Sequence, residues 1–178
     1  MSKQTIILNG TEVRVKKTDL GEYLSITDLA KVMGDKTGKI IANWIRLIGT
    51  IEYLKEWELK YNPDFNVLGY EDIRLQAGTV QFSLSAKKWI EQTNAKGVLS
   101  EIGRYGGTYA HNAIAMEFCT TISPAFKLGV YVDYLELKQQ QAEQWLQTYQ
   151  FYLNKLEDNS IESNRMIRDL KEGFKRLE

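Results

Sequence analysis

Nine consecutive positions, Gly103-Arg104-Tyr105-Gly106-Gly107-Thr108-Tyr109-Ala110-His111, hold three glycines, a cation, two aromatic residues and the only histidine of the chain. Glycine takes positive φ readily and lets a backbone approach another surface closely. In a tight turn of this composition Arg104 and Tyr105 stand outward, and a guanidinium beside outward-pointing amides suits phosphate. The chemistry these residue types can do is polyanion binding. The alternative is an ordinary glycine-rich turn before a helix, because short glycine motifs recur by chance. His111 could contact a phosphate, or it could cap or pack within the start of that helix.

Two further groups could serve the same chemistry. Lys39, Asn43 and Arg46 lie at i, i+4 and i+7, a polar stripe opposite Ile40, Ile41, Trp44, Ile45 and Ile48. Arg and Asn make bidentate contacts to base edges, so a helix presenting them could enter a major groove. The alternative is the solvated face of any amphipathic helix. Lys87 and Lys88 follow Ser85, a natural N-cap, and so fall in a first helical turn. Cations there oppose the helix dipole at a cost of roughly a few tenths of a kcal/mol, which a bound phosphate would relieve. Otherwise they are two surface lysines.

Catalytic chemistry finds little support. One His and one Cys, Cys119, cannot form a zinc site, and no Walker loop or nucleophile elbow is present. Glu56 and Glu58 are two apart, hence on different helix faces. A nuclease using Arg104, Tyr105 and His111 lacks a carboxylate cluster for Mg²⁺ nearby in sequence. The expectation is no enzyme, no metal and no cofactor.

The elements that must position these groups can be read in order. Thr5-Ile6-Ile7-Leu8 and Val13-Arg14-Val15 flank Asn9-Gly10, a strong hairpin signal, and Tyr23–Ile26 can add a third strand. Thr27 caps a short helix from Asp28 to Met33, broken at Gly34-Asp35. A second helix runs from Thr37 or Gly38 to about Ile48, giving a helix-turn-helix-like segment. Thr50 to Glu58 continues helical and stops at Asn62-Pro63. Its glutamates would repel phosphate, so it faces elsewhere or packs in the core. A short helix is expected around Tyr70–Gln76, an alternating strand at Val80–Leu84, and a helix from Ser85 to Thr93. Thr108 is expected to cap a helix from Tyr109 to about Ile122. Ser123-Pro124 then ends one helix and starts another. Beyond Leu137 the composition turns polar, and new apolar stripes begin at Trp145 and Ile161. Such stripes bury themselves against a partner, often a copy of the same chain, or pack back on the same domain.

A chain of 178 residues suits one domain with an appendage, or two very small domains. Cys119, in an apolar helical run, reads as a buried inert thiol, and one cysteine gives no internal disulfide. No run approaches membrane-span length and no signal-peptide core is evident, so a soluble, intracellular protein is expected. Net charge is zero. The distribution is uneven: residues 25–48 and 86–111 each sum to +2 (four cations, two acids), and residues 49–75 sum to −3 (three cations, six acids). That is compatible with DNA and does not require it.

The glycine run, preceded by Ser85-Ala86-Lys87-Lys88-Trp89-Ile90 and followed by Ile122-Ser123-Pro124-Ala125-Phe126-Lys127-Leu128, resembles the KilA-N domain. So do Leu24–Lys31, Ile41–Arg46 and Thr50–Leu54, in the family's order over roughly residues 22–138. The resemblance implies a DNA-binding domain of phages, large DNA viruses and bacterial mobile elements, acting as a regulator in the cytoplasm of a bacterial or infected cell. The family often has a basic residue just after the position of His111. Asn112 stands there, which calls one phosphate contact into question. The reading that follows is an α+β fold: a small antiparallel sheet packed on several helices with a helix-turn-helix-like segment, then a helical C-terminal extension. The domain is expected at 1–138 and the extension, a possible homo-oligomerisation arm, at 139–178. Double-stranded DNA is the expected partner, held by Arg104, Tyr105, Gly106, Gly107, Lys87, Lys88, Asn43, Arg46, Lys39 and His111. The alternative is a protein-interaction or antirepressor-type adaptor that assembles through its C-terminal helices.

Overall fold

The structure, a computed structural model, describes residues 4–8, 10–32, 36–79, 81–103, 106–157 and 163–174. It divides into two compact units, Met1–Lys127 and Leu128–Glu178. In the first unit, strands β1 (Gln4–Leu8) and β2 (Thr11–Thr18) form the expected hairpin, with Leu8 opposite Thr11. That register leaves two loop positions, and Gly10 takes φ +76° there, as a two-residue loop demands. Asn9 lies outside the described residues. β3 (Gly21–Ser25) pairs with β2. Five helices follow in the chain: α1 (Ile26–Val32), α2 (Thr37–Ile45), α3 (Ile48–Tyr61), α4 (Val67–Gln76) and α5 (Ala86–Thr93). The chain then returns to the sheet as the hairpin β4 (Val98–Glu101) and β5 (Gly107–His111). The strand order is β1-β2-β3-β5-β4, every neighbouring pair antiparallel. Helix α6 (Asn112–Ile122) closes over the sheet and α2. The α+β architecture read from the sequence is the architecture found.

The core joins Val13, Ile26, Ile45, Ile51, Leu54, Trp89, Ile114 and Phe118. Trp44 meets Phe118 edge to face at 5.1 Å, and its indole N–H donates to Glu117 Oε2 at 2.6 Å. That bond lets a carboxylate sit on the core-facing side of α6. Cys119 is half-buried, and burial pushes its thiol up to about 11, which makes it an inert thiol at neutral pH.

Three local expectations are corrected. Residues 107–111 are a strand, not the start of a helix. Ala110 pairs with Leu24 and Val98, and Tyr109 with Ser25 and Leu99, so β5 is bonded on both sides. Two ladders outweigh the helical spacing of the apolar residues that follow. The cap of α6 is therefore His111, whose Nδ1 accepts the Ala113 amide at 3.3 Å, and not Thr108. Within Val80–Leu84, the described residues 81–84 form no strand; Phe82 N–H closes a turn onto Thr79 O at 3.1 Å, and only Leu84 is fully buried. Finally, α2 stops at Ile45. Leu47 is extended (φ −66°, ψ 135°) and Ile48 starts α3 largely exposed. Arg46 is thus one residue past α2, and Ile48 is not on its buried side.

In the second unit, α7 (Pro124–Glu157) starts as read: Ser123 Oγ accepts the Phe126 amide at 3.2 Å and Pro124 takes the first position. The first turn of α7 belongs to the first unit. α8 (Ser163–Phe174) follows.

Two polar groups, one buried and one half-buried, fasten the first unit and generate tests. Glu58, fully buried on α3, accepts the Gly97 amide at 2.7 Å, the Lys96 amide at 3.0 Å and Asn62 Nδ2 at 2.7 Å. It tethers the approach to β4. Glu58→Ala strands these donors and should lower the unfolding free energy by about 3 kcal/mol in urea titration; a loss below about 1 kcal/mol would mean water replaces the carboxylate. His111 Nδ1 also accepts Trp57 Nε1–H at 3.1 Å, so two donors hold the ring neutral with its proton on Nε2. Burial lowers its pKa, partly offset by a hydrogen bond to the Leu20 backbone. A depressed base stabilises the fold fully above its unfolded value of about 6.5 and loses that contribution as pH falls through the folded value. Stability should therefore decline as pH falls below about 6.5. His111→Gln should flatten that decline, and an unchanged slope would assign it to another group.

Candidate nucleic-acid interface

The β4–β5 hairpin turns at the glycine run. Gly106 N–H donates to Gly103 O at 2.9 Å, and Gly103 takes φ +116°. A Cβ on Gly106 would lie 2.3 Å from the Glu101 carbonyl oxygen, so no side chain fits there. Arg104 and Tyr105 fall in this turn by sequence and lie outside the described residues.

Two adjacent residues at the start of α1 fix the hairpin. Thr27 Oγ1 accepts the Thr108 amide at 2.9 Å. Asp28, only 3% exposed, is forked by Arg14 of β2: Nε to Oδ2 at 2.6 Å and Nη2 to Oδ1 at 3.1 Å. Arg14 Nη1 also donates to the Gly106 carbonyl at 3.4 Å. Burial would raise the Asp28 pKa, but hydrogen bonds from Arg14, then Lys31 and Ser25, hold it well below the usual carboxylate range. The same pairing raises Arg14.

Beside the hairpin lies a groove of about 330 Å³. Thr37 and Gly38 at the start of α2, Ser85 and Lys87 at the start of α5, and Ser100 and Thr108 of the hairpin line it. Ile41, Ala42 and Ile45 contribute apolar wall. Lys36, at the N-cap of α2, provides no side-chain cap for the first-turn amides. On α5, Ser85 Oγ accepts only the Lys88 amide, at 3.1 Å. Two helix N-termini, each with partial positive charge and unsatisfied amides, therefore open on one groove with several hydroxyls. Chemically this suits an anionic oxygen ligand.

The structure brings together part of the sequence-read set. Lys87 is on the groove, with its ammonium 3.7 Å from Glu91 in an exposed i,i+4 pair of little strength. Lys88 follows it, half-buried. Gly106 and Gly107 are in the hairpin. Lys39 and Asn43 are exposed on α2, and Arg46 continues that exposed stripe just past the helix end. His111 is elsewhere: its ring lies against Trp57 at 5.0 Å, Tyr23 at 5.6 Å and Tyr61 at 6.1 Å, and it lines no part of the groove. Sequence reasoning missed Arg14, Thr27 and the groove hydroxyls. It also missed Lys16, which pairs with Glu101 and stands 4.2 Å over the Tyr109 ring. An arginine between two buried valines, Val13 and Val15, was the available signal for Arg14. Single Thr and Ser residues carry none.

Among the described residues, no group of three or more His, Cys, Asp and Glu side chains could hold a metal ion, and no helix is long and apolar enough to cross a membrane. The KilA-N domain family matches residues 6–140. A relative, the protein kilA of Escherichia phage P1, is 44% identical over 59 residues, 29% of this chain and 22% of that protein. The chain thus spans about a fifth of the relative's length. No solved structure matches the chain. With three quarters of its residues inside the family's domain, and the glycine hairpin, the capped α5 and the Ser123-Pro124 junction all within the match, the chain belongs to the KilA-N domain family.

Proposed function

We propose that the chain binds double-stranded DNA through the glycine hairpin, the starts of α2 and α5, and the exposed stripe of α2. The observation that carries this reading is the groove on which two helix N-termini, several hydroxyls and Lys87 converge beside the glycine turn. Arg104, Lys87, Lys88 and the amides of Gly106 and Gly107 hold phosphate oxygens. Asn43 and Arg46 read base edges or take a second phosphate, with Lys39 beside them. Tyr105 packs on sugar or base. His111, held in its aromatic cluster, acts on the interface only by fixing the end of β5. The DNA-binding domain is 1–138, and 139–178 is an extension; the role is that of a non-catalytic regulator of a phage or mobile element. Family membership and a phage relative support this role.

The test is fluorescence anisotropy with random-sequence duplex DNA, titrated over salt. The wild type should show a steep log–log salt dependence. Arg104→Ala and Lys87→Ala should each weaken binding and reduce the slope by about 1. A folded protein that fails to bind at low salt overturns the reading in favour of a protein-interaction adaptor.

A further inference from the structure

Helix α7 carries a seven-residue repeat. From Leu128 the positions alternate by four and three: Leu128, Val132, Leu135, Gln139, Ala142, Leu146, Tyr149, Leu153, Leu156. All are apolar except Gln139. Leu128, Leu135, Ala142, Tyr149 and Leu156 fall at one core position of the heptad (d), and Val132, Gln139, Leu146 and Leu153 at the other (a). Leu128 is 64% exposed, Leu135 66% and Leu146 46%. The same phase continues in the sequence through Ile167, Leu170 and Phe174, across the interruption at 157–162. An a/d repeat kept for about four heptads is the pattern of a coiled coil, not of a helix lying on a globular core, whose period is about 3.6.

We infer that α7 is one strand of a parallel, two-stranded coiled coil whose other strand is a second copy of this chain. The flanking rows choose the occupant and its direction. The e row of α7 is Glu136, Glu143, Gln150 and Glu157; the g row is Tyr131, Lys138, Trp145 and Tyr152. An antiparallel pair sets e against e, a row of carboxylates with no cation. A parallel pair sets g against e, so Lys138 meets Glu143 of the partner subunit and no like charges face each other. Lys138 makes no ion pair with a described residue of its own chain, and its ammonium stands 5.7 Å over Tyr134. Gln139 is the single polar core position; in register it meets its own copy, and a one-heptad slip buries it against Val132 or Leu146. At on the order of 100 Å² of apolar surface for each buried core side chain, the eight apolar positions cover roughly 800 Å² per chain, the size of a stable interface. The seam begins at Leu128, ten residues before the polar Lys138–Gln144 run, and passes through it at Gln139 and Ala142, so that run is part of a coiled coil rather than a bare rod.

This inference does not rest on DNA binding, and its test uses the full chain without DNA. Light scattering coupled to gel filtration at micromolar concentration should give twice the chain mass. Leu146→Glu should give a monomer whose near-ultraviolet circular dichroism is kept. With Cys119→Ser to remove the native thiol, Val132→Cys should form an intermolecular disulfide under mild oxidation, because only a parallel, in-register pair brings position 132 beside its copy. A wild-type monomer, a dimer that survives Leu146→Glu, or a Val132→Cys dimer that does not cross-link each overturns the inference.

Discussion

The buried pairing of Arg14 with Asp28 is the constraint on which the candidate interface depends. An isolated carboxylate at the burial of Asp28 would be costly, and the fork from Arg14 together with Lys31 and the Ser25 hydroxyl makes it tolerable. The pair has a single satisfactory geometry, and that geometry joins three parts of the chain: β2, the first turn of α1, and the Gly106 carbonyl in the β4–β5 hairpin. Thr27, the neighbouring residue, binds the Thr108 amide. One turn of helix thus sets where the glycine turn stands against α2. Replacing the pair with apolar residues could leave the fold as stable, but it would remove the acceptors and donors that specify this arrangement.

Glu58 makes a comparable connection from the other side. Its carboxylate takes amides from Lys96 and Gly97 just before β4, so the hairpin is anchored where it enters the sheet as well as at its turn. Glu58 satisfies backbone amides directly, whereas at the turn the hairpin's backbone groups are met by the Arg14 guanidinium and the Thr27 hydroxyl. This explains why five helices can separate β3 from β4 in sequence and yet the chain returns to a defined register, with Ala110 opposite Leu24.

What the sequence made legible follows from how local the signal is. Asn9-Gly10, Ser85 and Ser123-Pro124 act within four residues, and the hairpin and both helix starts stand where those residues place them. The exposed stripe of Lys39 and Asn43 follows from the buried Ile41, Trp44 and Ile45. The strand at 107–111 was not legible, because its evidence is non-local: Tyr109 and Ala110 are decided by partners 10 and 86 positions away, Leu99 and Leu24. The buried roles of Glu58 and Asp28 were not legible for the same reason, since Gly97 and Arg14, which donate to them, come from other segments. Nothing in the sequence says that the hydroxyls share a groove; folding alone collects Thr37, Ser85, Ser100 and Thr108.

A net charge of zero is a weak objection to nucleic-acid binding once the acids are located. Asp28 and Glu58 are buried, Glu52 is taken by Arg74 and Tyr70, Asp64 by Lys96 and Glu101 by Lys16. Lys36, Lys39 and Arg46, in contrast, make no ion pair with a described residue. Near α2 these cations and the two helix N-termini weigh more in the local field than the sum over the chain does. Even so, a handful of cations gives one domain only a few phosphate contacts, and affinity scales steeply with that number. Pairing through α7 would double the contacts and make the second domain's encounter intramolecular, raising avidity by orders of magnitude without any new contact. On that reading a weakly charged domain and a long heptad helix in one chain would be parts of a single solution, the helix supplying by multiplicity what the domain lacks in charge.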